Sequence, residues 1–239
     1  MMKHVLTLFV LALCGTLLSG ADIFLAGDST CASYSAKRAP LTGWGQLLQG
    51  FCKPGVKVNN LAISGASTKS YIDSKAWDKL IAKVKKGDFV VIQFGHNDGH
   101  VKRPKQYTVP GGTYDANLKK FIADVRSKGG IPVIATSIAR GTFDKQGKIA
   151  LASLEKYCDA ARNVAKAEKT GLVDLNAETV KLFNSLKKEG TRKLFMCSSQ
   201  DPKRKNDVTH VNKEGAAAIA KLFVDAAKAQ KLPLAECFK

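Results

Sequence analysis

The sequence lacks the features that mark fibrous, disordered or multiply membrane-spanning chains. Its 239 residues contain no internal repeat and no low-complexity tract, and 45% of them are hydrophobic, which is enough for a globular core. Six cysteines are too few for a small disulfide scaffold, and none forms a CxxC pair or the Cys/His spacing of a zinc site. After the N-terminus, no apolar run is long enough to span a bilayer. We therefore expect a globular protein with no stable membrane anchor.

The N-terminal segment 1–21 has the pattern of a secretory signal peptide. A basic start precedes an apolar run over 5–13, and the small residues of 19–21 resemble a cleavage site. A buried first strand, an uncleaved anchor and a lipoprotein attached through Cys14 are the alternatives, but the apolar run is short for a membrane span. We predict cleavage that leaves a secreted or periplasmic chain, 22–239. That chain has five cysteines, so at least one has no partner within it.

Strand and helix patterns alternate along the rest of the chain. Short, almost continuously apolar runs are typical of a parallel sheet covered by helices on both faces. We therefore predict one α/β domain over 22–239. The predicted strands are 23–26, 56–63, 89–94, 131–138 and 171–175. The predicted helices are 43–51, 77–85, 114–128, 151–169, 178–188 with its end at Gly190, and a last helix that Asn212 caps and that reaches Lys228.

Polar residues suited to nucleophilic catalysis follow the predicted strands. Ser29 comes directly after the first strand, Gly65 after the second and Asn97 after the third, while Asp207 and His210 precede the last helix. Ligands of parallel sheets bind beyond the carboxyl ends of the strands. Taken singly, each residue is explained as well by a turn, a helix start or a capping loop. Their joint occurrence at consecutive strand ends favours a catalytic site.

The chemistry of acyl transfer gives each of these residues a role. A serine hydroxyl needs an adjacent base, and the base needs an orienting acceptor. His210 has an acid, Asp207, three residues before it, so one loop can deliver both groups to Ser29. The oxyanion of the transition state needs donors. The candidates are the N–H groups of Ser29 and Gly65 and the side-chain amide of Asn97.

These residues resemble the four sequence blocks of the SGNH (GDSL-type) hydrolases. The resemblance implies a flavodoxin-like three-layer α/β/α sandwich with a five-stranded parallel sheet. It also implies that Ser29 is the nucleophile, His210 the base and Asp207 its partner, and that Gly65 and Asn97 complete an oxyanion hole. The G-x-S-x-G turn of the ordinary α/β-hydrolases is absent. Segments 24–30, 43–45, 94–98 and 207–210 are similar to the rhamnogalacturonan acetylesterase branch of the family.

Three further residues near these blocks have more than one interpretation. Asp28 could take part in the reaction, but we favour a buried acid that holds the turn through backbone N–H groups. His96 is either a hydrogen-bonding neighbour of the site, which we favour, or a catalytic group. His96 and His100 have the spacing of two metal ligands on a helix, but the residues between them are poor helix formers. We therefore predict no metal and no cofactor.

Basic residues outnumber acidic ones, 38 to 20, and the formal net charge is +18. The loops predicted at the rim of the site contribute to this excess, and we predict that Lys203, Arg204 and Lys205 bind substrate. A polyanionic substrate would be steered by such charge. The alternative is a basic composition throughout the chain, because the helices carry as many lysines and arginines. Export and the lack of a nucleic-acid-binding motif argue against nucleic acid.

The sequence thus predicts a monomeric serine esterase that removes acetyl groups from an acidic pectic polysaccharide, with rhamnogalacturonan as the expected substrate. An SGNH esterase for acetylated xylan or another acyl ester is the nearer alternative. A non-catalytic polyanion-binding protein is the alternative from another class.

Overall fold

A computed structural model describes residues 20–239, so the predicted signal peptide lies outside them except for its last two positions. The described chain contains a five-stranded sheet with the order β2-β1-β3-β4-β5, in which all neighbours are parallel. This arrangement confirms the predicted α/β fold. The strands are β1 (Ile23–Gly27), β2 (Val58–Asn60), β3 (Phe89–Gln93), β4 (Ile131–Ala135) and β5 (Gly171–Val173).

Both faces of the sheet are buried, which explains why its strands are apolar at nearly every position. Along β1, Ile23 and Leu25 pack into one hydrophobic core, while Phe24 and Ala26 pack into the other. Successive side chains of a strand point to opposite faces, so a strand covered on both sides has no polar alternation.

Seven helices cover these two faces of the described chain. Helices α1, α6 and α7 pack on one face, and α2 to α5 pack on the other. No helix within residues 20–239 is long and apolar enough to cross a membrane. The helices are α1 (Trp44–Leu47), α2 (Thr68–Asp73), α3 (Ala76–Ile81), α4 (Thr113–Ser127), α5 (Leu154–Ala167), α6 (Leu175–Arg192) and α7 (Lys213–Ala229).

Two helices differ from the sequence prediction. Helix α2 was not predicted, because six residues are too few for apolar periodicity; a capping box between Ser67 and Ser70 starts it instead. Helix α6 breaks at Lys187, whose φ of 56° and ψ of 177° are not helical, so its first stretch ends close to the predicted end at 188. A second short helical stretch then continues past Gly190 to Arg192. The predicted strand 56–63 shortens to three residues, since β2 lies at the sheet edge and pairs with β1 alone.

The cysteines of the described chain are all free thiols. Cys31, Cys52, Cys158 and Cys237 are buried, and Cys197 is half-buried. Burial raises the pKa of the Cys158 thiol to about 12 and those of Cys52 and Cys237 to about 11.

The start of α1 packs directly against the loop that follows β1. A methyl group added to Gly43 would lie 2.1 Å from the Ala32 carbonyl oxygen, far inside contact distance. The next residue, Trp44, donates its backbone N–H to the Thr30 carbonyl at 3.0 Å. Only glycine at position 43 permits this approach, so the helix and the loop hold each other in place.

We expect Gly43→Ala to destabilise the protein by about 3 kcal/mol, the upper range for overpacking in a tight interior. Gly50→Ala is the matched control, because that glycine is exposed and nothing lies within 4 Å of the added methyl group. The control should stay within about 1 kcal/mol of the parent chain. Denaturant unfolding of both variants measures the difference, and equal free energies of unfolding would contradict the close packing described here.

Candidate active site

The site lies where the chain order of the sheet reverses. β1 is flanked by β2 and β3, so the segments that follow these three strands meet at one crevice. The structure brings Ser29, Gly65 and Asn97 to this edge, as the sequence predicts. Ser29 is almost buried, with 7% of its surface exposed.

Ser29, His210 and Asp207 form a continuous hydrogen-bonded chain. The Nε2 atom of His210 lies 3.0 Å from Ser29 Oγ, and its Nδ1 atom lies 3.0 Å and 3.1 Å from the two carboxylate oxygens of Asp207. This is the geometry that a serine nucleophile, its base and an orienting acid require.

Backbone bonds hold the loop that carries the acid and the base. Asp207 Oδ1 also accepts the backbone N–H groups of His210 at 2.9 Å and Thr209 at 3.2 Å. The Val208 carbonyl accepts the Gly141 N–H, and Asn212 caps α7 directly after the loop. Burial alone would raise the pKa of Asp207, but the hydrogen bonds from the ring and backbone of His210 and from Thr209 outweigh it and hold that pKa well below its usual range.

Asp28 holds the turn that presents Ser29, as the favoured interpretation predicts. It is fully buried, and its Oδ1 accepts the Thr30 backbone N–H at 2.9 Å and the Thr30 hydroxyl at 2.8 Å. The Thr30 hydroxyl in turn accepts from Gln93, whose Oε1 accepts from the Trp44 indole at 2.7 Å. Burial raises the pKa of Asp28, and these bonds to Thr30 only partly offset it.

The backbone and amide donors predicted for an oxyanion face the same edge. Within residues 20–239, the N–H groups of Ser29 and Gly65 donate to no protein acceptor. Asn97 donates one hydrogen of its amide to the Ala66 carbonyl at 2.9 Å, which leaves a second N–H for another acceptor. Gly65 has a φ of +80°, the left-handed conformation that glycine adopts without strain.

Several positioning residues carried no signal in the sequence. Tyr34 donates its hydroxyl to the Ser29 carbonyl at 2.7 Å, and Gln106 donates its amide to the Gly65 carbonyl. Asp98 accepts the Thr68 backbone N–H and the hydroxyls of Thr68 and Thr108 on one oxygen, Oδ1. These partners are far apart in sequence, so no local pattern marks them. For Asp98, the sequence showed only that it belongs to the family segment 94–98, and it did not show which residues it binds.

The predicted substrate-binding residues do not behave as one group. Lys203 and Lys205 are exposed, but Arg204 donates from Nη1 to Asp207 Oδ2 at 2.6 Å. Its guanidinium is therefore engaged by the acid of the hydrogen-bonded chain instead of facing free solvent. The sequence could not show that Arg204 is the one that turns inward, because a basic run in a polar loop gives no signal that distinguishes its members.

Two histidines beside the site have no metal-binding arrangement. Within the described chain, no group of three or more His, Cys, Asp or Glu side chains is placed to hold a metal ion. Both ring nitrogens of His96 are buried without a hydrogen-bond partner. Burial, with Arg140 nearby, lowers the pKa of His96 to about 3, and burial also lowers the pKa of His100.

The fold places a serine, a histidine and a carboxylate in hydrogen-bond contact at the switch point of a parallel sheet, the arrangement that serine hydrolases use. Residues 25–218 match the GDSL-like lipase/acylhydrolase family, and the chain belongs to that family. It is therefore an ester hydrolase.

Known relatives narrow the class to acetylesterases. A rhamnogalacturonan acetylesterase of Bacillus subtilis is 34% identical over 218 residues, which cover 89% of this chain and 92% of the relative. The crystal structure of the protein YxiM of Bacillus subtilis has a TM-score of 0.79 at 27% identity, and the match covers 90% of this chain but 58% of that longer one. An acetylxylan esterase from Geobacillus stearothermophilus shares the fold, with a TM-score of 0.66, 18% identity and coverage of 88% and 95%.

We expect Asp98→Asn to remove a pH dependence of stability. Burial raises the pKa of Asp98 to about 7, although the hydrogen bonds from Thr68 and Thr108 oppose this rise. In an unfolded chain the pKa of an aspartate is about 3.9. Between these values the native state holds a proton that the unfolded state has lost, so the native stability falls as pH rises from 4 to 7, by at most about 1.4 kcal/mol per pH unit. Asparagine at position 98 keeps an oxygen that can accept these hydrogen bonds but has no carboxyl group to titrate.

The measurement is the free energy of unfolding in denaturant at pH 4, 5.5 and 7.5 for both proteins. The parent value minus the Asp98→Asn value should decrease with pH. A constant difference would mean that Asp98 keeps one protonation state throughout.

We expect Arg204→Gln to lower the turnover of a small aryl acetate about tenfold with little change in KM, because Asp207 would lose a charge-assisted bond that orients it. Arg204→Lys should recover part of the turnover. Lys203→Gln and Lys205→Gln are matched controls that remove the same charge from the same loop. If all three glutamine variants retain parent turnover, the ion pair does not position Asp207.

Proposed function

We propose that this protein is a secreted serine esterase that removes acetyl groups from a pectic polysaccharide, with rhamnogalacturonan as the substrate. The observation that carries the catalytic part is the hydrogen-bonded chain from Ser29 through His210 to Asp207, with both links near 3.0 Å. The 34% identity to a rhamnogalacturonan acetylesterase over nearly the full length of both chains supports the substrate.

The reaction begins with attack of Ser29 Oγ on the acetyl carbonyl carbon, while His210 Nε2 takes the hydroxyl proton. Asp207 accepts from Nδ1, which keeps the imidazole in the correct orientation and stabilises its charged form. The carbonyl oxygen becomes an oxyanion that accepts from the N–H groups of Ser29 and Gly65 and from the free N–H of Asn97. These donors are already in place, so little reorganisation accompanies the charge.

The tetrahedral intermediate then collapses. The bond to the sugar oxygen breaks, that oxygen takes the proton from His210, and acetyl-Ser29 remains. His210 next removes a proton from water, which attacks the acetyl-Ser29 carbonyl and forms a second oxyanion at the same donors. Return of the proton to Ser29 Oγ releases acetate. Each half of the reaction uses the same three side chains, and neither half needs a cofactor.

Two surface cavities near this crevice include cations in their lining, which suits an extended, acidic chain. One, of about 610 Å³, runs beside Gly65 and includes Arg103 and Lys105. The other, of about 560 Å³, lies beside Arg204 and includes Lys37 and Arg38. A polysaccharide is long enough to occupy cavities beyond the reacting acetyl group, and cations along its path favour uronate-containing chains. Export, inferred from segment 1–21, would bring a monomeric enzyme to such a polymer.

Acetate release from acetylated rhamnogalacturonan and acetylated xylan tests the substrate. The proposal expects faster release from rhamnogalacturonan, and a rate that falls steeply between about 0.1 M and 1 M salt as the screening length shrinks from about 10 Å to about 3 Å. Hydrolysis of a neutral aryl acetate should change little over that range. Preference for xylan, with the same salt response on every substrate, would contradict the pectin assignment and favour a neutral glycan.

We expect Ser29→Ala to reduce acetate release by a factor on the order of 10⁶, because the nucleophile of such an arrangement has no substitute. Ser35→Ala is the matched control, since Ser35 is exposed six residues further along and its hydroxyl forms no hydrogen bond within the described chain. Steady-state rates on an aryl acetate measure both. Residual turnover above a few per cent in folded Ser29→Ala would show that another group attacks the ester.

A further inference from the structure

A small polar cavity lies beside the catalytic residues and has no role in the mechanism above. Its volume is about 60 Å³, room for a group of a few atoms and too small for a sugar ring. It opens between the loop after β3 and the loop after β4. Its lining includes His96, His100, Arg140, Ser153 and Tyr157.

Arg140 is the unusual member of this lining. Its side chain is half-buried, yet its guanidinium forms no hydrogen bond or ion pair with any residue of 20–239, and its Nε is buried without an acceptor. His96, only 4% exposed, has both ring nitrogens buried and unpartnered in the same cavity. Native interiors satisfy most buried donors, so the two unsatisfied here, the Nε–H of Arg140 and the ring N–H of His96, indicate an absent acceptor.

The charges around the cavity favour an anion. Both histidines have lowered pKa values, so Arg140 provides the positive charge and the neutral rings provide donors or acceptors. Asp28 attracts Arg140 but forms no hydrogen bond with it; Asp28 Oδ1 is occupied by Thr30, and Oδ2 has no partner. A planar guanidinium with free N–H groups matches the two oxygens of a carboxylate.

The position of the cavity links it to the substrate. Arg140 directly precedes Gly141, whose N–H donates to the Val208 carbonyl at 2.8 Å, between Asp207 and His210. An anionic group bound at Arg140 would therefore lie next to the loop that carries Asp207 and His210.

We propose that Arg140, together with His96 and His100, binds a carboxylate group of the polysaccharide, carried by a uronate residue next to the acetylated position. This inference rests on the proposed function and adds to it the group by which an acidic substrate is recognised. The acetate released by the reaction is the other carboxylate that reaches this region, and the test separates the two.

The first experiment compares Arg140→Gln with Lys145→Gln, which removes the same charge from an exposed position in the same loop. On acetylated rhamnogalacturonan, Arg140→Gln should lower kcat/KM roughly 10- to 100-fold through KM, as expected for loss of a charge-assisted hydrogen bond. The loss on an aryl acetate should be at least tenfold smaller. Arg140→Lys should lie between, and Lys145→Gln should match the parent on both substrates.

Equal losses on polymer and aryl acetate in folded Arg140→Gln would overturn the inference, because Arg140 would then support the reacting groups. Parent activity on the polymer would overturn it as well. If the parent chain hydrolyses aryl acetate but releases no acetate from rhamnogalacturonan, the proposed function fails first.

The second experiment does not depend on turnover of the polymer. Deacetylated rhamnogalacturonan oligosaccharides should inhibit aryl acetate hydrolysis by the parent chain and inhibit Arg140→Gln at least tenfold less, while neutral xylo-oligosaccharides should inhibit neither. Sodium acetate is the third inhibitor. Inhibition by acetate that depends on Arg140, with none by the acidic oligosaccharides, would assign the cavity to the product and overturn the uronate assignment.

Discussion

One carboxylate oxygen, Oδ1 of Asp28, holds the turn on which the rest of the site depends. It accepts two bonds from Thr30, and through Thr30 and Gln93 it is linked to the indole of Trp44. Each group in this buried chain both donates and accepts, except at the ends, so the bonds polarise one another. The turn after β1 is thereby tied to the strand beside it and to the helix below it. Ser29 is thereby oriented through its backbone, and its hydroxyl stays available for the bond to His210.

A second buried carboxylate performs the same task on the other side of the crevice. Asp98 accepts hydrogen bonds from Thr68 and Thr108, so it joins the start of α2 to the loop after β3 as one unit. Gly65 and Asn97 belong to this unit, whereas His210 belongs to a loop tied to β4 and α7. The site is thus assembled from three braced pieces. The sheet and direct bonds between the pieces set their spacing; one such bond runs from the Thr42 N–H to the Val211 carbonyl at 3.2 Å. This explains how donors and base can be pre-positioned although the segments between them are loops.

The sequence predicted correctly those features in which a residue type has one common role and its partners lie a few residues away in the chain. The five strands, the turn-holding role of Asp28 and the spacing of Asp207 and His210 followed from such patterns. Helix α2 was missed because a capping box, not periodicity, starts it. The predicted end of helix 178–188 was close, because α6 breaks at Lys187, but a second short helical stretch that includes Gly190 was not foreseen. The inward turn of Arg204 towards Asp207, three residues further on, was missed because Lys203 and Lys205 flank it in the same loop. The lack of a partner for Arg140 depends on how distant segments pack around it, which no spacing along the chain records.

The buried thiols can report which regions of the fold open, because each of them can react only when its surroundings open. Four of the five cysteines in the described chain are inaccessible, and burial keeps those thiols protonated and unreactive. They lie in different places: Cys31 beside the serine turn, Cys158 on α5, and Cys52 and Cys237 where the C-terminal residues pair with the segment after α1. Alkylation at each position therefore reports the opening of a different region, and the order in which the thiols react would rank the local stabilities of the molecule without any added probe.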